Sequence, residues 1–377
     1  MEGCHMTIID GDTLKEAYKN AANIDDREKE TAYKMIDQQI EEQKEKFDML
    51  VYDPDWTVRR VAARLNCGLD ILVNDPSQPV RMEVAKQGYG LDQLINDSEW
   101  IVRAEVAEQG YGLDQLINDP EPEVRAAVAE QGYGLDQLIN DPNEYVREAV
   151  AMKDYGLEKL VADPYESVRE AVARQGYGLD KLVDDPDVDV RLAVAEQGYG
   201  LDQLINDPEP AVRRAVAEQG YGLDRLINDS DAYVRIEIVE QGYGLEKLVA
   251  DPDWMVRRAV AKQSYGCLEK LVNDSSADVR GAVAEQGYGL DQLINDPHPY
   301  VRAIVAGKKY GLDQLINDTH PLVREAVARQ GYGLMRLIHD PDIVVRDCAE
   351  KQLRKRVAEQ NLPKPKFSRP KSKGKVR

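Results

Sequence analysis

Residues 119–140 read DPEPEVRAAVAEQGYGLDQLIN, and residue 141 begins the same pattern again with Asp141-Pro142. The Val-Arg pair inside it falls at Arg59, Arg81 and Arg103 and keeps that spacing as far as Arg257. One 23-residue step leads to Arg280, and the 22-residue spacing continues to Arg346, giving 14 copies. A period of this length marks an array of small supersecondary units. The chain's 377 residues are therefore not two or three globular domains but one unit repeated.

The unit contains its own helix signals. Asp119 is read as the N-cap, its carboxylate accepting first-turn amide hydrogens, with Pro120 at the first helical position, where a missing N–H costs nothing. Val124, Ala127, Val128 and Gln131 follow at i, i+3, i+4 and i+7, one face of a helix. Gly132 supplies the left-handed stop. Leu135, Leu138 and Ile139 then form the face of a second, short helix before the next Asp-Pro. No stretch alternates apolar and polar residues like a half-buried strand. The few aliphatics of one unit cannot offset the entropy of ordering it, so stability must come from stacking on neighbours. The expected fold is all-α: a right-handed alpha-solenoid of 22-residue two-helix repeats, a longer helix plus a short α or 3-10 helix. At about 8–10 Å per packed helix layer, the array would be on the order of 100 Å long. Residues 1–46 are read as an N-terminal helical cap, with Tyr33, Ile36 and Ile40 on one face. Residues 47–350 form the repeat solenoid, and 351–377 hold the end of the last helix and a basic, extended tail.

The repeated Asp-Pro-x-x-x-Val-Arg-x-x-Val-Ala, followed by a Leu-rich short helix, resembles the variant leucine-rich repeat and the wider HEAT-like helical repeats. The resemblance covers residues 47–350, with a period slightly shorter than that family's usual unit. It implies a right-handed superhelix and little about function, since such solenoids serve many ends. Some family members carry an N-terminal iron–sulfur cysteine cluster; only Cys4 lies there in this chain, so no cluster is expected.

Composition narrows the function classes. Cys4, Cys67, Cys267 and Cys348 are far apart and form no CxxC pair, so neither a zinc ribbon nor a disulfide framework is indicated. There is no run of roughly 20 apolar residues and no apolar signal core after Met1, so a cytoplasmic location is expected; Met6 is a second candidate start. The net charge of −20 is uneven: residues 351–377 carry +10 and the rest −30. His298 and His320 occupy equivalent places one layer apart, too distant to share a metal without a third ligand. The Gly-Tyr-Gly element lacks the preceding strand and following Lys-Ser/Thr of a phosphate loop and reads as a helix stop with a tyrosine sealing the turn. No nucleophile, metal set or cofactor loop stands out, so the chain is read as non-enzymatic, with no cofactor and no small-molecule substrate. The repeated arginines are read as pairing with an Asp-Pro aspartate of their own or the adjacent unit, a bidentate geometry.

The residues that escape the repeat remain. One or two residues before the Val-Arg pair, on the longer helix, six repeats carry Trp56, Trp100, Tyr145, Tyr233, Trp254 and Tyr300. Aromatics of this kind serve as interface hot spots; the alternative is a solvated face free to drift. Three binding readings follow: a protein partner held by this variable stripe, a basic partner held by the acidic body in imitation of a nucleic-acid backbone, and nucleic acid contacted through the tail from Lys364 to Arg377.

Overall fold

In the computed structural model, residues 49–263 and 265–361 are described. The expected N-terminal cap over 1–46 and the tail beyond 361 lie outside them. Among the described residues, 14 long helices alternate with 13 short ones and no strand occurs. The chain is an all-α repeat solenoid, each unit a long helix followed by a short one. It divides into two compact units, Met1–Val190 and Arg191–Arg377.

In the first unit, long helices such as Trp100–Glu108, Pro122–Glu130 and Glu144–Met152 pack on one another in sequence order. The short helices Leu113–Leu116 and Leu135–Leu138 return the chain between them. The second unit repeats the arrangement from Leu201–Leu204 through Pro210–Glu218 and Ala232–Glu240 to the last helix, Ile343–Asn361. Each repeat buries the same set. Val124, Val128 and Ala129 are fully buried and Leu138 nearly so, while Ile139 closes the gap toward the next repeat. A typical long helix runs from an Asp-Pro turn to a Gly-Tyr-Gly turn, about 13 Å for nine residues. Each compact unit therefore has two edges, one made of each kind of turn.

Two sequence expectations are corrected at these edges. The long helix begins two residues later than Asp119-Pro120 implied: Glu121 is the N-cap and Pro122 the first helical residue. Asp119 is not available as a cap. Its Oδ1 accepts from the Glu121 backbone N–H at 3.0 Å in a tight turn, and both its oxygens are held by Arg103 of the preceding repeat. Gln131 lies outside the buried face and is exposed. The equivalent Gln219 instead donates to the Glu196 carbonyl, 3.2 Å away at the end of the preceding long helix.

The two glycines of the Gly-Tyr-Gly turn do different work. Gly110 and Gly132 have positive φ with open space where a Cβ would point. At this place the chain substitutes Asn66, Asp154 and Lys309, each with φ between 55° and 60°. The second glycine has positive φ too, but a Cβ there would run into the preceding repeat. At Gly68 it would lie 2.6 Å from Val51 and at Gly289 2.6 Å from Val272; at Gly112 it would collide with Ile95. The one repeat without this glycine has Cys267 as the cap of its short helix, with φ −102°. That is the repeat carrying the extra residue, and a 3-10 turn, Tyr265–Cys267, replaces the left-handed entry.

Candidate interaction surfaces

The repeated arginines are structural. Arg125 donates through Nε and Nη2 to Asp141 of the next repeat at 2.6 and 2.9 Å. Its Nη1 donates to the carbonyls of Asp119 and Pro120 in its own turn at 2.7 and 3.0 Å. One side chain thus closes its own Asp-Pro turn and clamps the following one. The pattern recurs in 13 Arg–Asp pairs from Arg59–Asp75 to Arg324–Asp340, all to the adjacent repeat. Arg346 keeps its own-turn carbonyls, but Leu362 stands where the next aspartate would fall in sequence. Burial raises the carboxyl pKa of Asp229, Asp274 and Asp318, yet the facing arginine and a backbone N–H outweigh it and hold each below the ordinary value. At Asp340 the Arg324 hydrogen bond is the largest influence, and the result is also a lowered pKa. These guanidinium groups, with Arg125 only 14% exposed, are not free to meet an outside phosphate.

A second ladder joins the short helices. Gln115 donates to Asn96 at 2.9 Å and Gln137 to Asn118 at 3.0 Å, and in the second unit Arg225 donates to Asn206 at 3.0 Å. Depressions of about 560, 400 and 480 Å³ lie between successive Asp-Pro turns, lined by equivalent residues such as Arg302 and Asn317, Arg81 and Asn96, and Arg324 and His339. Because they recur with the repeat, they are products of stacking rather than a singular pocket. Among the described residues no three His, Cys, Asp or Glu side chains gather as a metal set. No described helix is long and apolar enough to cross a membrane. His298 and His320 are both N-caps, and the Nδ1 of His320 accepts from the Leu322 N–H at 3.2 Å.

The six stripe residues all lie in the first turn of a long helix. Trp56, Trp100 and Trp254 are each 40% exposed and begin their helices; Tyr145, Tyr233 and Tyr300 are 60%, 59% and 36% exposed. In the first unit Trp56, Trp100 and Tyr145 stand on alternate repeats and do not merge into one cluster. In the second, Tyr233 and Trp254 stand on successive repeats. Tyr300 is the least exposed of the three tyrosines because it leans on Gly281 of the preceding repeat and meets His298 edge-on, ring centres 6.4 Å apart.

Two features escaped the sequence reading. The first is a set of buried glutamates, Glu83, Glu105 and Glu237, at the place where most repeats have an alanine, as at the buried Ala127. Each faces a base from the repeat before: Arg60 and Arg64 at 3.0 and 3.2 Å, Lys86 at 3.5 Å, and Arg214 at 3.4 Å. Burial raises the Glu83 pKa, but its two arginines overcome that and leave it lowered. Glu105 has one lysine and a nearby Glu108, so burial prevails and its pKa is raised. The signal lay in basic residues one repeat upstream, visible only once the repeats are stacked.

The second feature is the tyrosine row. Tyr89, Tyr111 and Tyr133 in the first unit, and Tyr199, Tyr221 and Tyr243 in the second, are all 41–43% exposed. The turn they stand on is closed through the main chain, the Tyr133 N–H donating to the Val128 carbonyl at 3.4 Å.

No family model and no curated protein matches the chain. Among solved structures, it is similar to Kap121p, with 13% identity over 91% of this chain and 48% of that one, at a TM-score of 0.28. Kap121p bound to Pho4p gives the same identity and score. A structure of tubulin recruitment and assembly by microtubule polymerases with TOG domain arrays matches at 10% identity over 91% of this chain and 96% of that one, TM-score 0.22. The chain spans about half the length of Kap121p.

Proposed function

We propose that the protein is a non-enzymatic scaffold of variant leucine-rich repeat type that binds another protein through the variable stripe of its long helices. One observation carries the reading. The arginines, aspartates and aliphatics that recur in the repeats are occupied by stacking and by the Arg–Asp ladder, whereas Trp56, Trp100, Trp254, Tyr145, Tyr233 and Tyr300 remain 36–60% exposed at repeat-specific places. Aromatics this exposed leave much of their surface outside the stack, and at interfaces a few such residues contribute most of the binding energy. The test is capture from native lysate with the full chain and with a Trp56→Ser, Trp100→Ser, Trp254→Ser variant. The variant keeps its melting temperature and loses proteins the parent retains; retention of the same set overturns the reading.

A second reading, a basic partner steered by the acidic body, is favoured by one stretch. From Gln87 to Met152 there are 14 acidic residues and three basic ones, Arg103, Arg125 and Arg147, all held in the ladder. A surface of one sign attracts its opposite, more weakly as salt rises. The same stretch opposes a nucleic-acid duplex, which leaves that alternative to the tail.

A further inference from the structure

We propose that the Gly-Tyr-Gly edge around Tyr89, Tyr111 and Tyr133 is a second docking surface, and that its occupant is an extended polypeptide segment with lysine or arginine at every third residue. The proposal rests on the basic-partner reading and gives it a place and a register.

Five exposed carboxylates, Asp92, Glu108, Asp114, Glu130 and Asp136, each lie three residues from one of these tyrosines in sequence, and none is in an ion pair among the described residues. Two of them sit where folding disfavours them. Glu108 and Glu130 are the last residues of helices Trp100–Glu108 and Pro122–Glu130, whose last turns contain no base. A helix C-terminus carries partial negative charge, so glutamate there is repelled by its own helix and a cation is attracted. Arg64, Lys86 or Arg174 takes the same position in some repeats, and Glu196, Glu218, Glu240 and Glu285 in others. The acidic choice beside Tyr111 and Tyr133 therefore stabilises nothing in the fold. A tyrosine face flanked by carboxylates favours an ammonium or guanidinium group through ring quadrupole and charge together.

A guanidinium group already reaches this edge in one repeat, at a turn where Arg329 and Met335 replace the flanking acids. In the second unit the Arg356 side chain, from the last helix, lies over the corresponding turn, where a Cβ added to Gly331 would come 2.5 Å from its Nη2. Spacing sets the register. Packed helices lie about 8–10 Å apart. A polyproline-II segment advances about 9 Å in three residues and returns to the same face each time. One basic side chain would then meet each repeat's tyrosine.

The test is fluorescence anisotropy on the full chain with two labelled synthetic peptides of equal charge, one of five Lys-Pro-Pro repeats and one of five Lys-Pro-Pro-Pro repeats. The three-residue peptide binds at least tenfold more tightly, and equal affinity overturns the register. Asp114→Asn with Asp136→Asn weakens it at least tenfold, as does Tyr111→Ser with Tyr133→Ser, while the matching Tyr→Phe pair binds like the parent. Glu99→Gln with Glu121→Gln, the same charge change at the Asp-Pro edge, alters affinity less than twofold. If both edges weaken binding equally, the basic-partner reading stands and this surface falls. If neither peptide binds, both fall. A full chain with Lys364, Lys366, Arg369, Lys371 and Lys373 changed to Gln binds the peptide no more than twofold better. Binding seen only with that variant makes the chain's own tail the occupant and overturns a separate partner.

Discussion

Gly110 and Gly112 look alike in sequence, yet the fold asks different things of them. Both have left-handed φ, near 72° and 61°, but only Gly112 has a neighbour, Ile95, where a Cβ would go. Gly110→Ala should cost about 1–2 kcal/mol, the left-handed penalty alone, and Gly110→Asn less, as Asn66 already occupies such a site. Gly112→Ala adds overpacking of roughly 1–3 kcal/mol. Chemical denaturation of the three variants checks the order; equal costs would remove the Ile95 contact from the account. Glu105 supplies a second contrast. Its pKa is raised by burial, so the fold favours its neutral form. Its contribution is fully present below the ordinary glutamate pKa and is lost as pH rises through the raised value. Glu105→Gln should therefore raise the melting temperature at pH 7, and the gain should vanish near pH 3. Neither contrast was legible in the sequence, because each depends on which atoms of the preceding repeat lie alongside. The exceptions at Asn66, Asp154 and Lys309 did hint that the first glycine is the replaceable one.

At the scale of the helix, the Asp-Pro turn shows how a correct signal leads to a shifted boundary. Asp and Pro do precede the long helix, but the Asp119 carboxylate is engaged by Arg103, so Glu121 takes the cap position through its backbone alone. The alternation of helices, the buried face of Val124 and Val128 and the short Leu-rich helix were readable from spacing, because period 3.6 is a local property. The cap was not, since the arginine that competes for the carboxylate lies in the preceding repeat. Removing one ladder arginine leaves a buried carboxylate without its partner, typically about 3–5 kcal/mol. Arg169→Ala should thus lower the melting temperature markedly. Arg169→Lys should restore only part of the loss, because one ammonium cannot hold both oxygens of Asp185 and the Asp163 carbonyl as the guanidinium does. Full stability in either variant would mean the ladder is ornamental. The same pairs govern acid unfolding. Asp229, Asp274, Asp318 and Asp340 are held low, so their contribution is present above the ordinary aspartate pKa and is lost as pH falls through the lowered values. Melting temperature should fall steeply below about pH 4, and a flat acid profile would contradict these pairings.

Across the molecule, the repeat is the quantum of structure. Excising residues 119–140 joins Asn118 to Asp141 and brings Asp141 into the place that Asp119 held opposite Arg103. That chain should fold with slightly reduced stability, as arrays do when they lose one nearest-neighbour interface. Excising only 119–129 removes a carboxylate without replacing it and should unfold the neighbouring repeats; circular dichroism distinguishes the two. The candidate binding surfaces were only partly visible from sequence: the stripe from Trp56 to Tyr300 stood out as departures from the repeat. The tyrosine edge did not, because what recurs in every unit reads as structural until its exposure is known. The repeat with one extra residue shows where the array tolerates slip. Arg257 still meets Asp274 at 2.6 Å, and the turn at Tyr265–Cys267 absorbs the surplus. In genetic terms, recombination between near-identical copies yields products in which every arginine that gains a new neighbour gains one with an aspartate in place. Gain or loss of whole units therefore keeps the Arg–Asp register, and the single extra codon the array carries falls on its tyrosine side.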